Sequence, residues 1–325
     1  LKIQDFFKKV QKLNVLVVGD VMIDAYLWGD VNRISPEAPV PIVSVTKREN
    51  RLGGAANVAL NLKSLGVNPV ICSIIGQDEP GDTYLNLMVD ADLSTEGMVR
   101  TSHRKTTKKT RVISGRQQLL RVDDEVSYQI SPLLEAELIN RILNMCSEMK
   151  ISAIIFEDYD KGVINENIIT QVTKKANAKG IVTSVDPKKN NYTFYQNVTL
   201  FKPNFKEFVE GSKLDILKAD TDAIFKYAKS LMQQQNIQYI MVTLSELGVF
   251  LTDGKTYVQI EAEYRQIADV SGAGDTVISV ATLLLLSGFD MNTIAEVSNK
   301  AGGLVCEKVG VSPISKKDLL VELQK

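Results

Sequence analysis

The 325-residue sequence has one histidine, one tryptophan and three cysteines. A Ser-His or Cys-His nucleophile pair would have to use His103, which sits in a basic, loop-like stretch and reads as an exposed loop residue. Cys72, Cys146 and Cys306 are widely spaced among apolar or helical neighbours. That pattern argues against a disulfide framework or a cysteine-based zinc site and suits reduced, buried thiols in a cytoplasmic protein. No charge of one sign dominates, since 38 basic residues face 39 acidic ones. Neither nucleic acid nor an anionic membrane is therefore expected as the main partner. The longest apolar run, 277–286, falls well short of the roughly 20 residues a bilayer requires. No secretory leader, internal repeat or low-complexity stretch is visible. Two phosphate-binding signatures are missing as well. There is no G-x-x-x-x-G-K-[ST] loop, and Gly19 runs into Asp20-Val21-Met22-Ile23-Asp24 rather than into G-x-G-x-x-G. A nucleotide, if bound, binds by another design.

What is present is an alternation of short β-branched runs with amphipathic ones, in a chain whose 44% hydrophobic content suffices for a large core. Strands are expected at 14–19, 70–75, 152–156, 181–185, 198–201 and 239–243. Helices are expected at 55–65, 133–149, 164–178 and 222–235, the first stopped by Gly66 and the second preceded by Ser131-Pro132. Strands that are nearly continuous in apolar residues and alternate with helices indicate an α/β fold: a mostly parallel central sheet flanked by helices. Ligands on such sheets bind beyond the carboxyl ends of the strands. Two stretches, 39–46 and 107–114 continued by 118–122, instead alternate with period two and follow no helix. They read as a small, half-exposed β-lid over the active face, or else as edge strands of the main sheet. One domain over 1–325 is expected, with lid segments at about 25–48 and 105–122.

The segment Asp269-Val-Ser-Gly-Ala-Gly-Asp275-Thr276 carries most of the chemistry. It leads from a polar stretch into the 277–286 apolar run, so it reads as a loop entering a helix. Small residues let backbone N–H groups converge unshielded, and a helix start adds unpaired N–H groups and the positive end of its dipole. The result is an anion seat at Gly272, Ala273 and Gly274 with Asp275 at its edge, an arrangement suited to phosphoryl transfer. A Gly turn with an ordinary helix cap is the plainer alternative. At the end of the first strand, Asp20 and Asp24, with Gly53, Gly54 and Asn57 opening the next helix, can hold sugar hydroxyls. Asp20 reads equally well as a turn cap, and the Gly pair as a tight turn. In Lys202-Pro203-Asn204-Phe205-Lys206-Glu207, Asn204 and Glu207 lie one helical turn apart and offer oxygens to hydrated Mg2+, or simply form an N-cap. Lys188, after Val185-Asp186-Pro187, is placed to reach a phosphate or to remain solvated.

These elements occur in the order and spacing of the ribokinase-like sugar kinases of phosphofructokinase-B type, and the resemblance covers essentially the whole chain. Within that family the runs Val18-Gly-Asp-Val-Met-Ile-Asp24, Asn32-Arg-Ile-Ser-Pro-Glu-Ala-Pro-Val-Pro-Ile-Val43, Gly53-Gly-Ala-Ala-Asn-Val-Ala59, Gln117-Gln-Leu-Leu-Arg-Val-Asp123 and Asp158-Tyr-Asp-Lys-Gly162 closely resemble the D-glycero-β-D-manno-heptose 7-phosphate kinases. The resemblance implies transfer from ATP to the C1 hydroxyl of a heptose 7-phosphate, a step toward ADP-heptose and the lipopolysaccharide core. It implies that Asp275 takes the hydroxyl proton, that the helix N-terminus favours its ionised form, and that Mg2+ is held near Asn204 and Glu207. Adenine is expected near Thr243, Gly248 and Asn299, a monovalent cation or a plain loop cap at Asp269, and Asp158 among the sugar contacts. Arg33, Lys109, Arg111 and Lys161 are the candidate cations for the 7-phosphate. A homodimer through the lid is expected. Many such relatives carry a fused nucleotidyltransferase domain with an H-x-G-H-type motif, which does not occur in these 325 residues. Two departures stand out. Ser271 replaces the usual Thr, and Glu157-Asp158-Tyr159-Asp160 carries more acid than the usual Ser-Asp-Tyr-Ala, so Asp160 is expected to point away from a phosphorylated substrate.

Overall fold

The computed structural model describes residues 3–11, 13–115, 117–213 and 215–324. Arg116, inside the expected lid segment 105–122, lies outside the described residues. The strands are β1 (Asn14–Gly19), β2 (Val21–Ile34), β3 (Pro41–Gly54), β4 (Asn68–Gly76), β5 (Met98–Thr101), β6 (Thr107–Ser114), β7 (Gln117–Asp124), β8 (Ile151–Glu157), β9 (Val182–Asp186), β10 (Leu200–Phe201), β11 (Tyr239–Thr243), β12 (Val249–Thr252) and β13 (Tyr257–Ile260). The helices are α1 (Ile3–Val10), α2 (Ala55–Ser64), α3 (Glu79–Asp90), α4 (Pro132–Glu148), α5 (Glu166–Ala178), α6 (Phe205–Ser212), α7 (Thr221–Gln235), α8 (Ala273–Leu286), α9 (Met291–Cys306) and α10 (Lys316–Glu322).

Nine strands form one sheet in the order β13-β12-β11-β10-β9-β8-β1-β4-β5. All neighbours are parallel except β11-β12 and β12-β13. Burial on both faces explains the unbroken apolar strands. Val15 and Val17 of β1 and Ala153 and Ile155 of β8 pack with α1, α2, α3, α8, α9 and α10. Their neighbours Leu16, Val18, Ile154 and Phe156 pack on the other side with α4, α5, α6 and α7. The side-chain period of two makes one apolar run serve two cores. From β1 the chain works outward to β4 and β5 in one direction and from β8 to β11 in the other. The crevice for a ligand therefore opens beside β1 and β8, at their carboxyl ends.

The remaining strands make a second sheet, β3-β2-β6-β7. The chain enters it earlier than the sequence pattern suggests, because β2 starts at Val21, one residue after Asp20. Its first residues are apolar on both faces and buried, so they lack the alternation that marks 39–46. Gly54 takes φ 63°, and a Cβ there would come within 2.4 Å of the Asp20 carbonyl oxygen. A Cβ on Gly53 would meet Asp24 Oδ2 at 2.1 Å. The Gly pair is thus required where β2 and β3 close on each other at the root of this sheet. Helix α5 begins at Glu166 rather than 164 because Asn165 caps it, accepting from the Ile168 amide at 3.0 Å. Cys72, Cys146 and Cys306 are buried free thiols, and His103 is exposed.

Candidate active site

Five parallel strands deliver polar residues to one edge of the main sheet: Asp20 after β1, Glu157 at the end of β8 and Asp158 after it, Asp186 from β9, Lys202 after β10 and Thr243 from β11. Helix α8 begins over the same edge. Its residues 275–284 are all buried, which accounts for a sequence that is apolar on every side. A polar seam joins α8 to α2: Thr276 donates to Asn61 Oδ1 at 2.9 Å, and Asn57 Nδ2 donates to Asp275 Oδ2 at 2.6 Å. The Tyr159 hydroxyl donates to the other Asp275 oxygen at 3.2 Å. Asp275 is 6% exposed and is held on both oxygens.

Burial pushes the Asp275 carboxyl up to about 6, with Asp186 adding to the rise and Asn57, Lys202 and Tyr159 opposing it. The helix N-terminus is expected to favour the ionised form; burial acts in the opposite direction and is the largest cause of the shift. Tyr159 itself is held well above its ordinary range by burial and by Asp275, so it stays a donor.

Gly272 caps α8 in the left-handed region at φ 82°. Among the described residues the amides of Gly272, Gly274 and Asp275 donate to no protein group, whereas the Ala273 amide turns back to the Val270 carbonyl at 3.3 Å. The three free amides are therefore at 272, 274 and 275 rather than at 272–274. A Cβ at Gly274 would stand in ordinary contact, 3.5 Å, with both Asp186 Oδ2 and Lys202 Nζ, which places this backbone directly beside that ion pair.

Asp20 accepts from the amides of Tyr159 (2.9 Å), Lys161 (3.1 Å) and Val163 (3.1 Å), so it pins the 159–163 loop as a turn cap. Asp158 is likewise engaged, by Asn191 and Tyr195, each at 2.9 Å. Arg111 is paired with Asp24, and Lys109 and Lys161 share Glu125 at 3.6 and 2.6 Å. Arg33 is exposed far along β2. Asn204 and Glu207 form a reciprocal capping box on α6 (2.9 and 2.8 Å), and Glu207 also pairs with Lys188. Phe205 is half-buried, and Lys206 is exposed with Glu210 3.7 Å away. Thr243 bridges to Asn204, Gly248 closes the turn after β11, and Asn299 holds the Glu261 carbonyl at 2.8 Å. Asp269 accepts from the amides of Ser271 (2.9 Å) and Gly310 (3.0 Å) and so caps its loop. Asp160, at φ 54°, has a buried carboxylate oxygen without a hydrogen-bond partner.

Four residues of this edge carry no role in the sequence analysis: Tyr159, Asp186, Lys202 and the buried Glu157. Lys202 Nζ lies 2.8 Å from Asp186 Oδ2. All four lie inside runs that the sequence singles out, Glu157 as acid where Ser is usual, Tyr159 in the 158–162 run, Asp186 in the 185–188 run and Lys202 at the head of the 202–207 run, but none has a task there. A separate cavity of about 1150 Å³ lies between the second sheet and the loops around 264–269 and 307–309, lined by Tyr26, Trp28, Arg111, Asp269 and Val309 among others. Asp275 does not line it.

A doubly covered, mostly parallel sheet with a buried carboxylate and free helix-start amides at its carboxyl edge defines a phosphotransferase of the sugar-kinase kind. The chain belongs to the pfkB family of carbohydrate kinases, whose family model matches residues 12–318. It is 40% identical over 310 residues to the bifunctional protein HldE of Methylobacillus flagellatus, covering 95% of this chain and 63% of that one. The protein of the same name from Geotalea uraniireducens is 36% identical over 324 residues, covering 99% and 65%. The chain thus spans just under two thirds of the length of these relatives. In fold it is similar to phosphofructokinase-2 of Escherichia coli in complex with potassium (TM-score 0.78, 18% identity, 96% of this chain and 98% of that one). It is similar also to ribokinase of Arabidopsis thaliana complexed with ribose and ATP (TM-score 0.73, 16% identity, 96% and 99%). No helix among the described residues is long and apolar enough to cross a membrane.

Proposed function

We propose that this kinase transfers the terminal phosphoryl of ATP to the C1 hydroxyl of D-glycero-D-manno-heptose 7-phosphate, giving the 1,7-bisphosphate on the route to ADP-heptose and the lipopolysaccharide core. The observation that carries the transfer is Asp275, aimed by Asn57 and Tyr159 beside three undonated amides. Asp275 accepts the proton of the attacking hydroxyl, and the amides of Gly272, Gly274 and Asp275 take up charge developing on the phosphoryl oxygens. The heptose reading rests on the run 32–43 and on the kinship with proteins named HldE. Lys109 and Lys161 share a single carboxylate, which leaves a surplus positive charge for the 7-phosphate; Arg111 is neutralised by Asp24 and Arg33 lies at the sheet tip.

Mg2+ supplies charge neutralisation between the ATP phosphates. With their side chains closed in a capping box, Asn204 and Glu207 fit it through water rather than as direct ligands. Thr243, Gly248 and Asn299 lie along the β11–α9 side and suit the adenine. Each oxygen of Asp269 keeps a lone pair beside its amide bond, so a monovalent cation, such as the potassium of the E. coli complex, is compatible with its capping role. Residues 1–325 are read as one kinase domain, with the second sheet as its lid.

Release of ADP from Mg-ATP in the presence of heptose 7-phosphate, run beside ribose, fructose 6-phosphate and unphosphorylated heptose, tests the reading. Turnover should be confined to the phosphorylated heptose. Equal turnover of another sugar assigns a different substrate, and tight binding without ADP release points to a non-catalytic relative.

A further inference from the structure

A base and an anion seat that serve a sugar hydroxyl serve water equally well. Asp275 can take a proton from either acceptor, and the amides of Gly272, Gly274 and Asp275 can take up the charge of either transfer. A nucleotide-loaded enzyme with no sugar therefore needs its base kept from water. The structure holds a group in that place. Asp275 has one side-chain donor on each carboxylate oxygen, and the two are not alike. Asn57, 0% exposed on α2, donates an N–H to Oδ2 at 2.6 Å. Tyr159 donates an O–H to Oδ1 at 3.2 Å. An O–H donor to a carboxylate ordinarily closes to about 2.5–2.7 Å. The Tyr159 contact is thus the weaker and more exchangeable of the two, and chemically it is the same donor as a sugar hydroxyl.

The backbone under Tyr159 is fixed, and its side chain is not. The Tyr159 amide donates to Asp20 Oδ2 at 2.9 Å, and Asp20 pins the same loop through Lys161 and Val163. Among the described residues the ring is half-buried and part of neither hydrophobic core. Lys188 Nζ stands 5.5 Å from the ring centroid and holds the ring by its face. A turn about the side-chain bonds moves the hydroxyl off Asp275 without disturbing the loop or the cores. Burial keeps the phenol protonated, so it occupies the base without reacting.

We propose that Tyr159 decides which acceptor the base serves: its hydroxyl occupies Asp275 Oδ1 while the sugar site is empty and yields that position to the incoming sugar hydroxyl. Tyr159 is thereby a specificity-determining residue that acts against water. In the reaction it prevents, a water oxygen bonds to the terminal phosphorus of ATP. The bond from that phosphorus to the β,γ-bridging oxygen breaks, its electron pair leaves on ADP, and a water proton passes to Asp275, giving ADP and inorganic phosphate. The inference rests on the sugar-kinase reading of Asp275 and does not depend on which sugar is the substrate.

Tyr159→Phe removes the hydroxyl and keeps the ring, and circular dichroism checks that the variant is folded. Release of inorganic phosphate from Mg-ATP is followed with no sugar present, beside transfer to heptose 7-phosphate. In the variant the sugar-free rate should rise by about tenfold or more. Its KM for the phosphosugar should fall, because the sugar no longer competes with a phenol. Combining Tyr159→Phe with Asp275→Asn should remove the added hydrolysis. Slower transfer with no rise in hydrolysis makes Tyr159 a plain positioning residue and overturns the proposal. So does added hydrolysis that survives in the double variant, or a raised KM for the phosphosugar. Added hydrolysis in Tyr159→Phe, with no transfer to heptose 7-phosphate by the wild type, reassigns the substrate and leaves the role of Tyr159 standing. Transfer by the wild type with no added hydrolysis in the variant does the reverse.

Discussion

Asp275 owes its basicity to burial, and burial has a cost in stability. Its folded-state value, about 6, lies above the ordinary 3.8, so folding favours the protonated form. The corresponding stabilisation is full below about pH 4 and is lost as pH rises through about 6. Activity follows the opposite course, since the ionised form accepts the proton: kcat/KM should fall as pH drops below about 6, which a pH–rate profile checks. Asn57 donates to this carboxylate and opposes the rise, so in Asn57→Ala the limb of that profile should move to higher pH. The two trends meet in Asp275→Asn. Turnover should fall by about 10³-fold or more with ATP binding retained, read by quench kinetics and calorimetry. The same variant should melt higher than the wild type above pH 6, by an amount that shrinks toward pH 4. Equal melting temperatures across that range would mean that the burial term is not felt at this residue.

At the scale of elements, the start of α8 depends on one conformation. Gly272 sits at φ 82°, and a Cβ there would come within 2.6 Å of Asn57 Nδ2. Gly272→Ala should therefore cost about 1–2 kcal/mol from the left-handed backbone, seen in denaturant unfolding. It should also reduce kcat more than it changes the KM for ATP, because Asn57 is pushed off Asp275. Elements with one regular period were legible from the residues. β11 spans 239–243 as expected, and α2 begins at Ala55 and ends before Gly66. β2 was not, because Met22, Ile23, Ala25 and Tyr26 are all buried and the period of two is hidden at the root of the sheet. The same limit applies to the site. The Gly272–Asp275 turn is local and announces itself, whereas Glu157, Asp186 and Lys202 are brought together only by the parallel order of β8, β9 and β10. Asp20 has the composition of a ligand and the geometry of a cap, a distinction that resides in the loop 159–163 and not in its own neighbours.

At the scale of the whole molecule, one face of the second sheet presents exposed apolar side chains among the described residues. Leu27 lies opposite Val112, and Val112 opposite Leu120, so three apolar side chains line up across β2, β6 and β7. Val122 is on the same face of β7, two residues along, and Val45 pairs with Gly29 further along β2. Leu120 is 56% and Val122 50% exposed. The alternate residues Tyr26, Trp28, Arg111 and Ile113 face the cavity beside Asp269. A sheet with an apolar outer face and long edge strands is a pairing surface, and a closed twofold pair covers it without leaving a template for further addition. The protein should accordingly sediment as a dimer. Leu120→Glu combined with Val122→Glu should sediment as a monomer with unchanged far-ultraviolet circular dichroism, since neither side chain enters the two cores. A wild-type protein that sediments as a monomer at micromolar concentration would leave this face to the solvent and remove the lid as the site of pairing. If the dimer forms and the double variant also loses affinity for the phosphosugar but not for ATP, pairing holds the inner face of the same sheet, with Lys109, in its working position over the crevice.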